Sequence, residues 1–282
     1  GAGKMGGAIL SAWLESDVLV HDWLDGEDEQ DVPGGLGGLD PASVFVEDPG
    51  ATEDVIDLLA KFDIHPKPRH DLPRPPGLVM IAVKPQVMEP VLVDLAKRIG
   101  PSTLVYSIAA GKTLDDLAKH LPEGTAIVRA MPNTPVMVAA GVTALISNEH
   151  VSETQRLGLE RLVAGTGQVV WLDDESQMDA VTAVSGSGPA YVYYLTECLA
   201  AAGQKQGLPE KIAMQLARAT VSGAGAMMDA FETEASELRQ NVTSKGGTTA
   251  AALEVLMADD GLAQLMENAI AAATRRSKEL SG

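Results

Sequence analysis

A few short stretches of this chain carry residue types and spacings that could do chemistry. It opens on Gly1-Ala2-Gly3-Lys4-Met5-Gly6, a G-x-G-x-x-G pattern, and the run from Gly7 to Leu14 that follows reads as a helix. Glycines so spaced allow a tight turn and let the backbone approach a pyrophosphate, which then rests on the N-terminus of the next helix. Ala82-Val83-Lys84-Pro85-Gln86 and Met131-Pro132-Asn133-Thr134-Pro135 each follow an apolar run, so both read as strand-end loops, where open α/β sheets bind ligands. The first reads equally well as a helix start with proline in its first turn. In the second, Asn133 and Thr134 offer hydrogen bonds.

The most specific stretch is Asn241-Val242-Thr243-Ser244-Lys245-Gly246-Gly247-Thr248-Thr249, directly before a helical run. Successive Gly and Thr amides at a helix start form a concave set of donors suited to a carboxylate, with Ser and Thr hydroxyls alongside. A plain capping turn would look similar, but it does not need paired glycines and this many hydroxyls. An acidic pair, Glu47-Asp48, ends the apolar run from Ser43. It reads either as a ligand for a ribose 2′-hydroxyl, which favours NADH, or as a solvated strand end.

These stretches need elements to position them. Ser43–Glu47, Leu78–Val83, Thr103–Ser107, Ala126–Arg129, Thr143–Ser147 and Gln168–Leu172 have the composition of strands. Leu78–Val83 is uninterruptedly apolar, as in a strand buried on both faces. Between them, 51–62 (Val55, Ile56, Leu58 and Leu59 inward), 86–99, 114–121 and 152–164 read as helices. Strand and helix in alternation predict βαβ units and a parallel sheet, an α/β fold with a Rossmann-type dinucleotide-binding domain over residues 1–174. The strand that normally leads into a G-x-G-x-x-G turn would lie before Gly1, so this chain is expected to lack it. From 175 to 282 the pattern is helical: Gly188 to Lys205 behind a Ser187 cap, then 209–231, 248–257 and 262–280. The small residues of 209–231 read as tight helix packing.

Composition narrows the function. A net charge of −18 argues against a nucleic-acid partner, which needs clustered Lys and Arg. No apolar run reaches the roughly 18 residues of a membrane span, and no leader is expected. Cys198 has no second cysteine to pair with, which fits a reducing cytoplasm, and it is read as a buried structural thiol. His21, His65, His70, His120 and His150 lack metal-ligand spacing, so no metal is expected. The acidic, Gly-rich stretch from Glu15 to Asp40 reads as a solvated insertion and not a partner-binding loop.

The combination and order of these stretches, together with Ser107-Ile108-Ala109-Ala110-Gly111 and Ser185-Gly186-Ser187-Gly188-Pro189-Ala190-Tyr191, resemble the pyrroline-5-carboxylate reductases over most of the chain. The resemblance implies reduction of Δ1-pyrroline-5-carboxylate to L-proline by hydride transfer from NADPH or NADH. It implies cofactor binding at Gly1, Gly3, Lys4, Met5, Gly6, Ala82, Val83, Lys84, Pro85 and Asn133. It implies a substrate site at Ser244, Gly246, Gly247, Thr248 and Thr249, with Thr249 as the catalytic hydroxyl beside the ring nitrogen. It further implies an all-helical C-terminal dimerisation domain, a homodimer that can build rings of dimers, and a site drawing on two chains. The alternatives are a non-catalytic nucleotide-binding relative and a β-hydroxyacid dehydrogenase. The latter would need a lysine within a long inter-domain helix, whereas Lys205 and Lys211 flank a helix break.

Overall fold

The computed structural model describes residues 3–15, 41–64 and 75–281. Gly1, Ala2, most of the acidic stretch and the proline-rich 65–74 lie outside the described residues. The chain divides into two compact units, Gly1–Gly186 with Arg276–Gly282, and Ser187–Arg275.

The first unit is built on a sheet of β1 (Leu78–Ile81), β2 (Leu104–Ser107), β3 (Ala126–Pro132), β4 (Gly141–Ser147) and β5 (Gly167–Trp171), adjacent in that order. Side chains alternate across each strand, and both faces are covered. Leu104, Tyr106, Val128 and Ala130 point to one face, where α1 (Lys4–Glu15) lays down Ile9 and Trp13, and α5 (Glu153–Ala164) lays down Leu159 and Leu162. Val105 and Ile127 point to the other, under Met88, Leu92 and Leu95 of α3 (Met88–Leu95) and Leu117 of α4 (Leu114–Ala118). Capping boxes start α4 (Thr113 with Asp116) and α5 (Ser152 with Gln155). Buried Arg129 is neutralised by Glu175 at 2.7 Å, and the same carboxylate oxygen accepts the Leu114 amide at 2.9 Å, tying β3 to the start of α4.

Several expectations are corrected. Ser43–Glu47 is not a strand: a 3₁₀ turn at Pro41–Ser43 leads into irregular backbone that has no ladder partner among the described residues. Its apolar side chains still pack, with Val46 buried against Leu10 and Leu14 of α1 and against Val55 and Leu59 of α2 (Glu53–Ala60). Ile56 faces solvent, because a helix this short keeps only one stripe covered. Strand β1 stands at the edge of the described sheet and is only half-buried. The sheet is also not wholly parallel: β4 runs antiparallel to β3 while the other pairs are parallel. Residues 133–140 are too few for a crossover, which takes a dozen or more residues, so the chain turns straight back.

The second unit is helical: α7 (Gly188–Lys205), α8 (Glu210–Ala230), α9 (Ala235–Asn241), α10 (Thr248–Leu256) and most of α11 (Leu262–Ser281). Helices α7 and α8 pack through Ala200, Ala213 and Ala217, where small side chains bring the backbones close. Helix α9 went unforeseen, since its sequence, ASELRQN, has no apolar periodicity. Ser187 makes no side-chain cap, because the chain arrives already wound: α6 (Met178–Val181) passes into a π turn at Thr182–Gly186. Cys198 is exposed, not buried.

One glycine bears on the architecture directly. Gly167 begins β5 at φ +132°, and a Cβ there would overlap the backbone of Gly141 across the β4–β5 ladder. Gly167→Ala is expected to cost at least about 2 kcal/mol, overpacking and backbone strain each contributing about 1–3. Chemical denaturation measures this. A loss below about 1 kcal/mol would show that the two strands can separate freely.

Candidate functional site

Helix α1 begins at Lys4, inside the glycine pattern and not after it, and Gly7 makes the first return bond, its amide to the Gly3 carbonyl at 2.7 Å. The amides just ahead of Gly7 therefore have no carbonyl one turn back, and the helix dipole adds partial positive charge there. With Ile9 and Trp13 clamped on the sheet, this helix end is held at the carboxyl edge of the strands. A cavity of about 240 Å³ lies there, lined by Gly3, Met5, Gly6, Ala82, Val83, Lys84, Ile108, Ala109 and Ala110. Three elements meet in it: the start of α1, the residues leaving β1 and the residues leaving β2. Anion-binding amides on one side and apolar walls from Met5, Val83 and Ile108 on the other suit a group with both a phosphate and an aromatic ring. A dinucleotide fits these residues.

The cavity thus brings together Gly3, Met5, Gly6, Ala82, Val83 and Lys84 from two distant stretches. Ile108, Ala109 and Ala110 were given no role by sequence reasoning, although they leave β2 as Ala82–Lys84 leave β1, and that equivalence was the available signal. Pro85 begins a 3₁₀ turn next to the cavity but is not in its wall. Asn133 is not in the wall either. It is buried, and its Oδ1 accepts the Val142 amide at 2.9 Å, bracing the start of β4. Gly1 lies outside the described residues, and nothing is described of the Lys4 side chain. Glu47 is held by Arg98 through both carboxylate oxygens, the longer contact at 3.1 Å, and the Arg98 guanidinium is stabilised in its charged form chiefly by that bond. Asp48 accepts the Gly50 amide at 2.9 Å.

In the second unit, Ser244 to Thr249 form the turn that starts α10. Gly246 has φ +72°, a conformation glycine adopts without strain, and the Gly247 amide donates to the Ser244 carbonyl at 3.0 Å. Gly247 is the N-cap residue and makes no side-chain cap, so the amides of the first turn, including those of Thr248 and Thr249, point outward unpaired by the helix. The Ser244 hydroxyl folds so close over Gly247 that a Cβ there would strike it. Of the hydroxyls in this stretch, that of Thr243 is already used, donating to the Arg239 carbonyl at 2.6 Å. The turn is an oxyanion-sized cluster of donors, apt for a carboxylate.

Residues 175–280 match the family model for pyrroline-5-carboxylate reductase dimerisation. A pyrroline-5-carboxylate reductase of Pseudomonas aeruginosa is 40% identical over 245 residues, covering 86% of this chain and 89% of that protein. The chain belongs to the pyrroline-5-carboxylate reductase family. One from Synechocystis is 39% identical over 85% of this chain and 88% of its own length. Among solved structures, that of a pyrroline-5-carboxylate reductase from Coxiella burnetii superposes with a TM-score of 0.82 at 33% identity, covering 100% of this chain and 97% of its own. That of Plasmodium falciparum pyrroline carboxylate reductase with NADP bound gives 0.75 at 26% identity, covering 100% and 96%.

Ala82 offers a direct test of the cavity, since it lines it and leaves the sheet core untouched. Ala82→Glu is expected to weaken dinucleotide binding more than about ten-fold by filling the space and opposing the phosphates, with little change in melting temperature. Titration calorimetry reads this. Unaltered affinity would place the cofactor elsewhere.

Proposed function

We propose that the chain reduces Δ1-pyrroline-5-carboxylate to L-proline with NADPH or NADH. The observation that carries this reading is the presence, in one chain of that family, of a cavity where unpaired helix amides meet apolar walls at a sheet's carboxyl edge and of a glycine turn with unpaired amides at the start of α10. The name of the family supplies the reaction, and the two sites supply the chemistry it needs.

In this reading the first unit holds the cofactor, whose dihydronicotinamide supplies a hydride when bound. The amides of Lys4, Met5 and Gly6 hold the pyrophosphate, Gly3 lets the backbone come close, and Ala82, Val83, Lys84 and Ile108 border the path of the rest. Pro85 and Asn133 support that border through the turn and the strand they brace. The second unit holds the substrate. Amides of Thr248 and Thr249, with the Ser244 hydroxyl, bind the carboxylate, and Gly246 and Gly247 shape the turn. The Thr249 hydroxyl is the catalytic group: it orients the ring nitrogen by hydrogen bonding and relays a proton from solvent water to it, regaining its own proton from that water. A C=N bond protonated on nitrogen is already electrophilic, so the residues need only align the partners, and alignment can supply roughly 7–11 kcal/mol of a barrier. No strong acid or base is required of the protein.

The assembly follows from the second unit. Tyr193, Tyr194, Leu199, Leu216, Met228, Phe231 and Leu265 are large apolar side chains exposed in one chain, which is costly unless a partner covers them. We assign them to a homodimer, with rings of dimers as the larger form. Among the described residues no helix is long and apolar enough to cross a membrane. The lone thiol, Cys198, supports a reducing cytoplasm as the location in this reading.

Purified protein mixed with pyrroline-5-carboxylate should consume NADPH or NADH absorbance and yield proline, and Thr249→Ala should lower turnover more than about ten-fold with cofactor affinity kept. Cofactor binding without any proline formed would overturn the reductase reading. An unchanged rate in the variant would remove Thr249 from the chemistry. Sedimentation equilibrium should return a mass of at least two chains, and a monomer at micromolar concentration would sink the proposed dimer.

A further inference from the structure

One motif of the sequence has no role in the sites described so far: Ser185-Gly186, inside the π turn at Thr182–Gly186. We infer that the Ser185 hydroxyl binds the carboxamide of the nicotinamide ring and so sets the ring's orientation. The inference rests on the dinucleotide part of the proposed function.

Three observations converge on it. The Ser185 Oγ is enclosed and has no hydrogen-bond partner among the described residues. A buried hydroxyl in that state costs about 1–3 kcal/mol, and native proteins rarely leave one so. Thr182, at the other end of the same turn, shows the ordinary remedy, donating back to the Met178 carbonyl at 2.8 Å. Second, the turn is π-wound, a departure from regular helix that is found mostly at functional sites.

Third, the turn sits at the end of β3. A Cβ on Gly186 would lie 3.5 Å from the Met131 sulfur, and Met131 is followed by Pro132, where β3 ends. Strand β3 pairs parallel with β2, and β2 with β1, so the three strands end at the same edge of the sheet. The residues leaving β1 and β2 already form the cavity wall. The π turn that holds Ser185 thus meets the third strand end in that row.

The chemistry selects the ligand group. A hydroxyl is neutral, donates once and accepts, which matches a carboxamide with its carbonyl and its NH₂. A phosphate or carboxylate would look for the unpaired amides that α1 and α10 provide. Among the described residues the hydroxyl has no partner, and a bound carboxamide supplies one.

The test is calorimetric titration of wild-type chain and Ser185→Ala with two probes. One is the dinucleotide that the wild type binds more tightly. The other is the matching ADP-ribose or its 2′-phosphate, which keeps every feature except the nicotinamide. The variant should bind the dinucleotide roughly ten-fold more weakly and the ADP-ribose within about two-fold of wild type. The unliganded variant should melt at the same temperature or higher, because a stranded hydroxyl has gone. Equal weakening of both probes, no weakening of either, or a lower melting temperature of the unliganded variant would each overturn the assignment. The reductase reading fails differently, by absence of proline formation in the wild type, and that result leaves the binding comparison intact.

Discussion

The first unit depends on how α1 is fastened to the sheet. Ile9 and Trp13 lie in one cluster with Leu104, Tyr106, Val128 and Ala130, and the Trp13 and Tyr106 rings sit 5.9 Å apart, tilted by 43°. Burial of Tyr106 is complete, which pushes its phenol well above the usual tyrosine range and keeps it neutral inside the core. These contacts leave the helix only one place to end, at the carboxyl edge of the strands. Its unpaired amides are thereby aimed at the cavity, and the residues leaving β1 and β2 complete the wall. The proposed binding surface is thus a consequence of core packing further along the same helix.

The second unit follows a different rule. Its own core is small, Ala200, Ala213 and Ala217 between α7 and α8, while its large apolar side chains face outward. A bundle with alanines inside and leucine, methionine and tyrosine outside gains most of its apolar burial only when a second surface covers it. The match of residues 175–280 to a dimerisation family agrees with that arrangement. The same outward bias explains the exposure of Cys198: on α7 the inward stripe is taken by alanine, and the thiol falls on another face.

What the proposed reaction asks of the protein is modest and specific. Hydride transfer to an activated C=N bond needs a fixed ring, a fixed carboxylate and one hydroxyl at the nitrogen, and none of these needs a charged side chain. In the proposed reaction, backbone amides at two helix starts would carry the anions, and the turn conformations at Gly246 and Gly247 leave open backbone in place of side chains. Glycine, serine and threonine can therefore bear most of the chemistry in a chain whose carboxylates are numerous but mostly elsewhere.

By itself the sequence determined the alternation of strands and helices from residue 78 to 172, the helical remainder and the stretches proposed to bind, because apolar periodicity and Gly-Ser-Thr turns are local signals. Pairing is not local. Only the tertiary structure decided that Val44 and Val46 pack without joining a ladder, that β1 stands at the edge, and that β4 turns back antiparallel, since each depends on which strand lies alongside. The same holds at the site. Gly3 and Ala82 announced themselves in sequence, whereas Ile108–Ala110 joined them only when β2 fell beside β1. Asn133 is a hydrogen-bonding residue in either view, but its partner, the Val142 amide, exists only because the chain reverses there. The solitary Ser185 hydroxyl is the clearest case: whether a buried polar atom has a partner is a property of its neighbours in space, and no neighbour in sequence reveals it.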